Sequence, residues 1–360
     1  MESKKIILLA SSDINYDQRL QKIASSLMKF KKNVLLLGRK KQGAEALQVQ
    51  KYQQDRVQCL INRGMLFYLE LNFRLFFRVL GKKVDVVCAN DPDTLLAALL
   101  IKWFSRADLI YDAHEYFIEV PELSGKVIKQ KIWSGIERFG VNHAIKCYTV
   151  NESLAKLFGE KFGKPFSVVK NVPLASKHAI DANKSDFILY QGALNRGRGL
   201  ESLLVAMLQV DAHLVIVGKG DIESELHQLV QSLHLQDKVS FKGYVFPAEL
   251  KHLTASAYIG VNLLEGSSLN YHYSLANKFF DYMHAGVPSI NMNFPEYAKI
   301  HKEAATGILI EDLNPEELGS AINTLFEDKQ LYSKFRSNCE QLSKRYNWEE
   351  EEKILINIYT

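Results

Sequence analysis

The sequence predicts two α/β domains, each built on a parallel sheet with helices on both faces, and three observations carry that prediction. Short, continuously apolar runs alternate with amphipathic helical spacing, the signature of strands buried on both sides. The alternation stops near residue 150 and restarts at 187, with the polar, aperiodic NVPLASKHAIDANKSDF (171–187) between. At 360 residues the chain also exceeds what one core usually serves.

In order, IILLAS (6–11) opens the first domain and leads into Leu20, Ile23, Ala24, Leu27 and Met28, spaced as one helical face. NVLLLG (33–38), VDVVCA (84–89), DLIYDA (108–113) and CYTV (147–150) supply its further strands. The second domain reads FILYQG (187–192), AHLVIVG (212–218), KVSF (238–241), AYIGVNLL (257–264), VPSIN (287–291) and GILI (307–310). The expected boundaries are 1–170, a linker at 171–186, and 187–345. The architecture is two Rossmann-like domains facing a cleft, with ligands held beyond the carboxyl ends of the strands.

Composition narrows the class. With 47% apolar and 24% charged residues the chain has an ordinary globular balance. Its apolar runs fall short of the ~20 residues a membrane span needs. The opening MESKKIILLASSD holds only a short apolar stretch, which reads as a first strand rather than a leader. Cys59, Cys88, Cys147 and Cys339 are scattered without a Cys-x-x-Cys or a metal-spaced histidine group, so reduced thiols in a cytoplasmic protein without metal are expected. Residues 1–83 carry 17 Lys and Arg against 6 Asp and Glu, whereas 176–360 carry 17 against 24. The basic end suits an anionic partner.

The loops after the strands hold the candidates. After FILYQG, Gly192 and ALNRGRG open a helix, offering backbone N–H groups with Arg196 and Arg198 for phosphate. A turn with solvated arginines would read the same way. The run lacks the Gly-Lys-Ser/Thr of a P-loop. Gly218 and Lys219 follow the next strand. In the first domain, YDAHEYF sets Asp112, His114 and Glu115 at a strand end, and SSDINYDQRL brings Asp13, Asp17 and Arg19 to the mouth of strand one, where a small acceptor could be held. The helix predicted from Ser274 buries Leu275, Phe279, Tyr282 and Met283, leaving Asn277, Lys278 and Asp281 together on another face. A helix start with Lys278 attracts a diphosphate, and Asp281 one turn on can accept two ribose hydroxyls. The alternative is a surface Lys–Asp pair worth little.

These segments resemble the retaining glycosyltransferases of the group 1 type, which have the two-domain GT-B fold, over essentially the whole chain. YDAHEYF is similar to the family's strand-end histidine segment, LYQGALNRGRGLESLL to its glycine loop, LVIVGKGD to the next turn, and SLANKFFDYMHAGVP to its carboxylate-bearing helix. NWEEEEKILINIY resembles the helix that crosses back onto the first domain, so 346–360 should pack there. The resemblance implies transfer of a sugar from a nucleoside-diphosphate sugar to a saccharide or lipid-linked acceptor in surface polysaccharide synthesis, without cofactor or metal. It implies Arg198 and Lys278 on the diphosphate with Asn270 and Asn277 nearby, Asp281 on the ribose, Gly243 and Tyr244 near the base, and His114 facing the sugar. The family's Glu-x7-Glu pair reads Tyr273 and Asp281 here, and the glycine loop's early basic position is Ala193. Two other readings stay open: a nucleotide-sugar-binding partner subunit without turnover, favoured by Tyr273, and a sugar-nucleotide epimerase.

Residues 62–83 set Leu66, Leu69, Phe73, Phe76 and Leu80 on one helical face and Glu70, Arg74, Arg78 and Lys82 on another. The apolar stripe reads first as a core-facing surface. With Phe67 and Phe77 off the stripe and the basic excess nearby, contact with an anionic membrane at its inner face is the second reading, and nucleic acid is not expected.

Overall fold

The computed structural model describes residues 4–120, 123–175 and 184–360, so residues 176–183 of the expected linker lie outside the described residues. The chain forms two compact units, Met1–Asn171 with Glu351–Thr360, and Val172–Glu350.

The first unit holds β1 (Lys5–Leu9), β2 (Asn33–Lys40), β3 (Gln53–Gln58), β4 (Val86–Asn90), β5 (Asp108–Ala113), β6 (Lys146–Thr149) and β7 (Phe166–Val168). They pair in the order β3-β2-β1-β4-β5-β6-β7, with every pairing parallel. The second unit holds β8 (Phe187–Gln191), β9 (His213–Val217), β10 (Val239–Gly243), β11 (Ile259–Asn262), β12 (Ser289–Met292) and β13 (Gly307–Ile310), ordered β10-β9-β8-β11-β12-β13 and again parallel. Strand order reverses between β1 and β4 in one sheet and between β8 and β11 in the other. Loops diverge there and leave room for a ligand.

The sequence reading misses two strands, β3 and β7, which are the two edges of the first sheet. QQDRVQ is polar and half-exposed and FSV is three residues long, so neither carries the apolar run that marks a central strand.

A second difference concerns the helix Gly64–Val79. Its buried side is Phe67, Leu71, Leu75, Phe76 and Val79; of the expected core stripe Phe76 is buried, while Leu66, Leu69, Phe73 and Leu80 are exposed. The helix is apolar nearly all round, so period alone does not select the inward face; packing on the helix Leu95–Ser105 selects it. Arg74 pairs with Glu70 and Arg78 with Asp55, which ties down two of the expected basic residues.

The helix Trp348–Tyr359 begins in the second unit and ends in the first. In the first unit Glu352 accepts from the Ser26 hydroxyl at 2.8 Å and pairs with Lys29, and the Tyr359 and Tyr148 hydroxyls meet at 3.1 Å.

Candidate functional site

In the second unit, the ends of β8, β9 and β10 meet in glycines. A Cβ on Gly218 would lie 1.8 Å from the carbonyl oxygen of Gly192 and its φ is 140°, so only glycine lets these two loops touch. Gly218 donates to the Gly243 carbonyl at 2.8 Å and Gly192 to that of Val217 at 2.9 Å, which fixes the three ends side by side.

The helix Asn277–His284 starts beside them. Tyr297 accepts from the Ala276 N–H at 2.9 Å and anchors the helix entry. Leu275, Phe279, Phe280, Tyr282 and Met283 bury its apolar side. Lys278 is only 7% exposed, yet its Nζ has no hydrogen-bond partner. The ammonium lies 3.9 Å from the ring centroid of Tyr190 and close against Gly192. Burial first, and then repulsion from Arg198, hold its pKa well below the usual lysine value. Arg198 lies over the ring of Tyr271 at 5.1 Å, and its Nε is likewise buried without a hydrogen-bond partner. Two cations thus converge on aromatic faces and repel one another, an arrangement an anion would relieve.

One turn on, half-buried Asp281 accepts from Gln191 Nε2 at 3.0 Å, and Gln191 in turn accepts from the Thr254 hydroxyl at 2.7 Å. This relay fixes the carboxylate beside the glycine ends. Tyr190, Gln191, Thr254 and Tyr271 escape sequence reading. A strand buried on both faces gives no alternation by which to single out its last two residues.

The other expected donor contacts are more exposed or differently partnered. Arg196 is exposed and pairs with Glu225 at 2.7 Å rather than joining Arg198. Asn277, at the first helical position, is exposed, unlike its neighbour Lys278. Lys219 is exposed beside Gly243, and Tyr244 is exposed with its ring edge-on to Phe246. Asn270 lies half-buried in the short helix Leu269–His272, its N–H donating to Ser268 Oγ at 3.2 Å. Tyr273 follows that helix with its ring edge against His272.

In the first unit the three residues expected to hold an acceptor are committed to the fold. Arg19 is buried and donates twice to Asp112, at 2.9 and 3.2 Å, and once to the Val169 carbonyl at 3.1 Å. Asp13 is buried against Arg56 at 3.0 Å, and Asp17 caps the helix Gln18–Lys29 through the Leu20 N–H. Each thus has a partner within the first unit.

His114 is 37% exposed at the side chain, and its Nδ1 is 2.7 Å from Asp91 Oδ2. The other Asp91 oxygen accepts the His114 N–H at 3.1 Å. Burial opposes the imidazolium, but Asp91 outweighs it and pushes the His114 pKa up to about 10. Asp91 stands at φ 59°, ψ 169°, a strained conformation for a residue with a Cβ, and its N–H donates to the Asp112 carbonyl at 2.8 Å. Next to it, burial and then Asp91 raise Asp93 to about 7. Asp91, His114 and Glu115 bring their ligand-type atoms within 4.8 Å of one another, a grouping the sequence spacing did not reveal.

Residues 175–342 match the family described as glycosyl transferases group 1. An uncharacterised glycosyltransferase of Methanocaldococcus jannaschii is 24% identical over 301 residues, 77% of this chain and 75% of that protein. A Campylobacter jejuni enzyme is 24% identical over 177 residues, 46% of this chain and 44% of its own. It is an N-acetylgalactosamine-N,N'-diacetylbacillosaminyl-diphospho-undecaprenol 4-alpha-N-acetylgalactosaminyltransferase. Among solved structures, HepE of Anabaena in complex with UDP-glucose superposes with a TM-score of 0.77 at 16% identity, covering 98% of both chains.

Proposed function

We propose, from the premise that this chain is a glycosyltransferase of the GT-B fold whose residues 175–342 belong to the group 1 family, that it transfers a sugar from a nucleoside-diphosphate sugar to a saccharide or lipid-linked acceptor with retention. The observation that carries this reading is Lys278, a buried ammonium without a hydrogen-bond partner, at the point where strand order reverses. A diphosphate would meet Lys278, Arg198 and the amide end of the helix Asn277–His284, and would draw the lysine's pKa back up towards its usual value. Asp281, held by Gln191, would take the ribose diol. The relatives support the substrate classes: HepE binds UDP-glucose, and the Campylobacter enzyme is named for a lipid-linked acceptor.

The acceptor hydroxyl attacks the anomeric carbon on the face from which the diphosphate departs. The bond from that carbon to the phosphate oxygen breaks, and the departing oxygen takes the acceptor's proton. No side-chain nucleophile and no metal is required, because protein cations and backbone N–H groups stabilise the leaving charge. His114, kept charged by Asp91, would donate to the transferred sugar. The setting is surface polysaccharide synthesis in the cytoplasm.

The test is a panel of UDP-, GDP- and ADP-sugars in thermal-shift and turnover assays. One nucleotide should raise the melting temperature. Asp281→Ala should weaken its binding by on the order of 1.5–3 kcal/mol, the loss of hydrogen bonds to a charged group. Unchanged affinity would remove the ribose assignment, and binding without sugar release to water or lipid extract would remove the transfer reading.

A further inference from the structure

The exposed side of the helix Gly64–Val79 continues onto two neighbours. Phe73 and Phe77 stack at 6.5 Å, Phe77 touches Phe76 at 5.3 Å, and Phe76 meets Phe104 of the next helix at 5.1 Å. On that second helix Trp103 reaches Phe139 of a third, Val127–His143, at 6.1 Å. Phe77 is 63% exposed, Phe104 69% and Trp103 51%. Leu66, Leu69 and Phe73 on the first helix and Ile132 and Phe139 on the third are also exposed, so all three helices present large apolar side chains at the surface, the composition of an interaction face.

Leu80 and Phe104 of this surface also border a cavity of about 770 Å³ lined by Lys4, Lys82, Lys83 and Arg106. Two carboxylates line it too: Asp85 accepts the Lys5 N–H at 2.7 Å, and Asp108 begins β5. Lys4 donates to the Thr360 carbonyl at 3.0 Å. Four cations against two acids leave the hollow net positive. Arg106 ends its helix in the left-handed conformation at φ 55°, where glycine or asparagine would be less strained. A cation therefore occupies a position the fold would fill more easily with another residue.

We propose that this aromatic surface, with its adjoining basic hollow, is the face by which the protein docks on an anionic bilayer, rings at the acyl boundary and phosphate headgroups in the hollow. The combination of aromatic faces and clustered lysines suits that partner. A second copy of the chain suits it less, because a two-fold contact would press one basic hollow towards its equivalent. The inference rests on the lipid-linked acceptor reading for its purpose, but its measurement needs no turnover.

The test is co-sedimentation of the full chain with phosphatidylcholine vesicles, with and without phosphatidylglycerol. The chain should sediment with the anionic vesicles and stay largely in solution with the neutral ones. Each basic residue near such a surface contributes roughly fivefold in partitioning, so Lys82→Glu with Lys83→Glu should lower binding at least tenfold. Phe77→Ser with Phe104→Ser should lower it similarly. Both double variants alter exposed positions, and unchanged melting temperature with unchanged nucleotide-sugar affinity would show that the fold and the second unit are intact. Equal binding to both vesicle types, no binding at all, or variants that sediment like the parent would each overturn the proposal. So would a concentration-dependent dimer in light scattering that Phe77→Ser dissolves. Glycerol phosphate that binds the hollow without any vesicle association would overturn it in favour of a soluble phosphate ligand. If vesicle binding holds while sugar transfer fails, the docking face stands and the transfer reading falls.

Discussion

Three basic groups at the strand ends of the first unit are answered by carboxylates, whereas Lys278 in the second is not. In the first, Arg19 is answered by Asp112, Arg56 by Asp13 and His114 by Asp91, all from the same unit. In the second, Lys278 is only 7% exposed and its Nζ has no hydrogen-bond partner. A buried pair is at best neutral for stability, whereas an unanswered cation works against the fold. The contrast teaches which set of charges serves the architecture and which awaits a ligand.

The largest effect should come from breaking the completed set. Asp112→Ala leaves Arg19 buried and unpaired, and should cost on the order of 3–5 kcal/mol in urea unfolding. A loss within 1 kcal/mol would mean that the first unit, too, tolerates an unanswered cation.

Lys278→Met should do the reverse. It should lower nucleotide-sugar affinity by on the order of 2–5 kcal/mol while raising the melting temperature of the ligand-free protein. Because the folded lysine's pKa is depressed, the unfolded chain binds the extra proton between that pKa and 10.5, so ligand-free stability should rise with pH there. The slope should flatten in Lys278→Met, and a variant both weaker in binding and less stable would mark Lys278 as structural.

Asp91→Asn sharpens the comparison within the first unit. His114 titrates near 10 instead of 6.5, so it is charged at neutral pH, and its contribution to stability is full below 6.5 and lost as pH rises through about 10. Removing Asp91's charge should return the histidine's titration towards neutrality, read by NMR, and move any alkaline fall in turnover to lower pH. A titration that stays near 10 would assign the shift to other groups. Arg196→Ala should do least: its pair with Glu225 is exposed, so affinity and stability should each change by less than about 1 kcal/mol.

The comparison also locates what could be read from the letters. The central strands of both sheets were legible because strands buried on both faces must be continuously apolar. The edges β3 and β7 were not, since an edge needs no such run. Lys278 and Asp281 were found from helical spacing, but Lys278's burial depends on Tyr190 and Gly192, over eighty residues earlier. Gln191 and Tyr271 announce nothing by pattern. Asp91 lies 23 residues before His114, too far for spacing to pair them. Asp13 and Arg19 look alike on paper whether they meet a ligand or a partner across the sheet. The helix Gly64–Val79, apolar on nearly every side, could be oriented only once its neighbours were known.

The helix Trp348–Tyr359 has a consequence for how the protein is made. The first sheet's strands emerge from the ribosome early, yet Ser26, Lys29 and Tyr148 wait for Glu352 and Tyr359 to close over them. During synthesis that early half would carry an open flank while the whole second unit is translated, a window in which chaperones or stray strands can reach it.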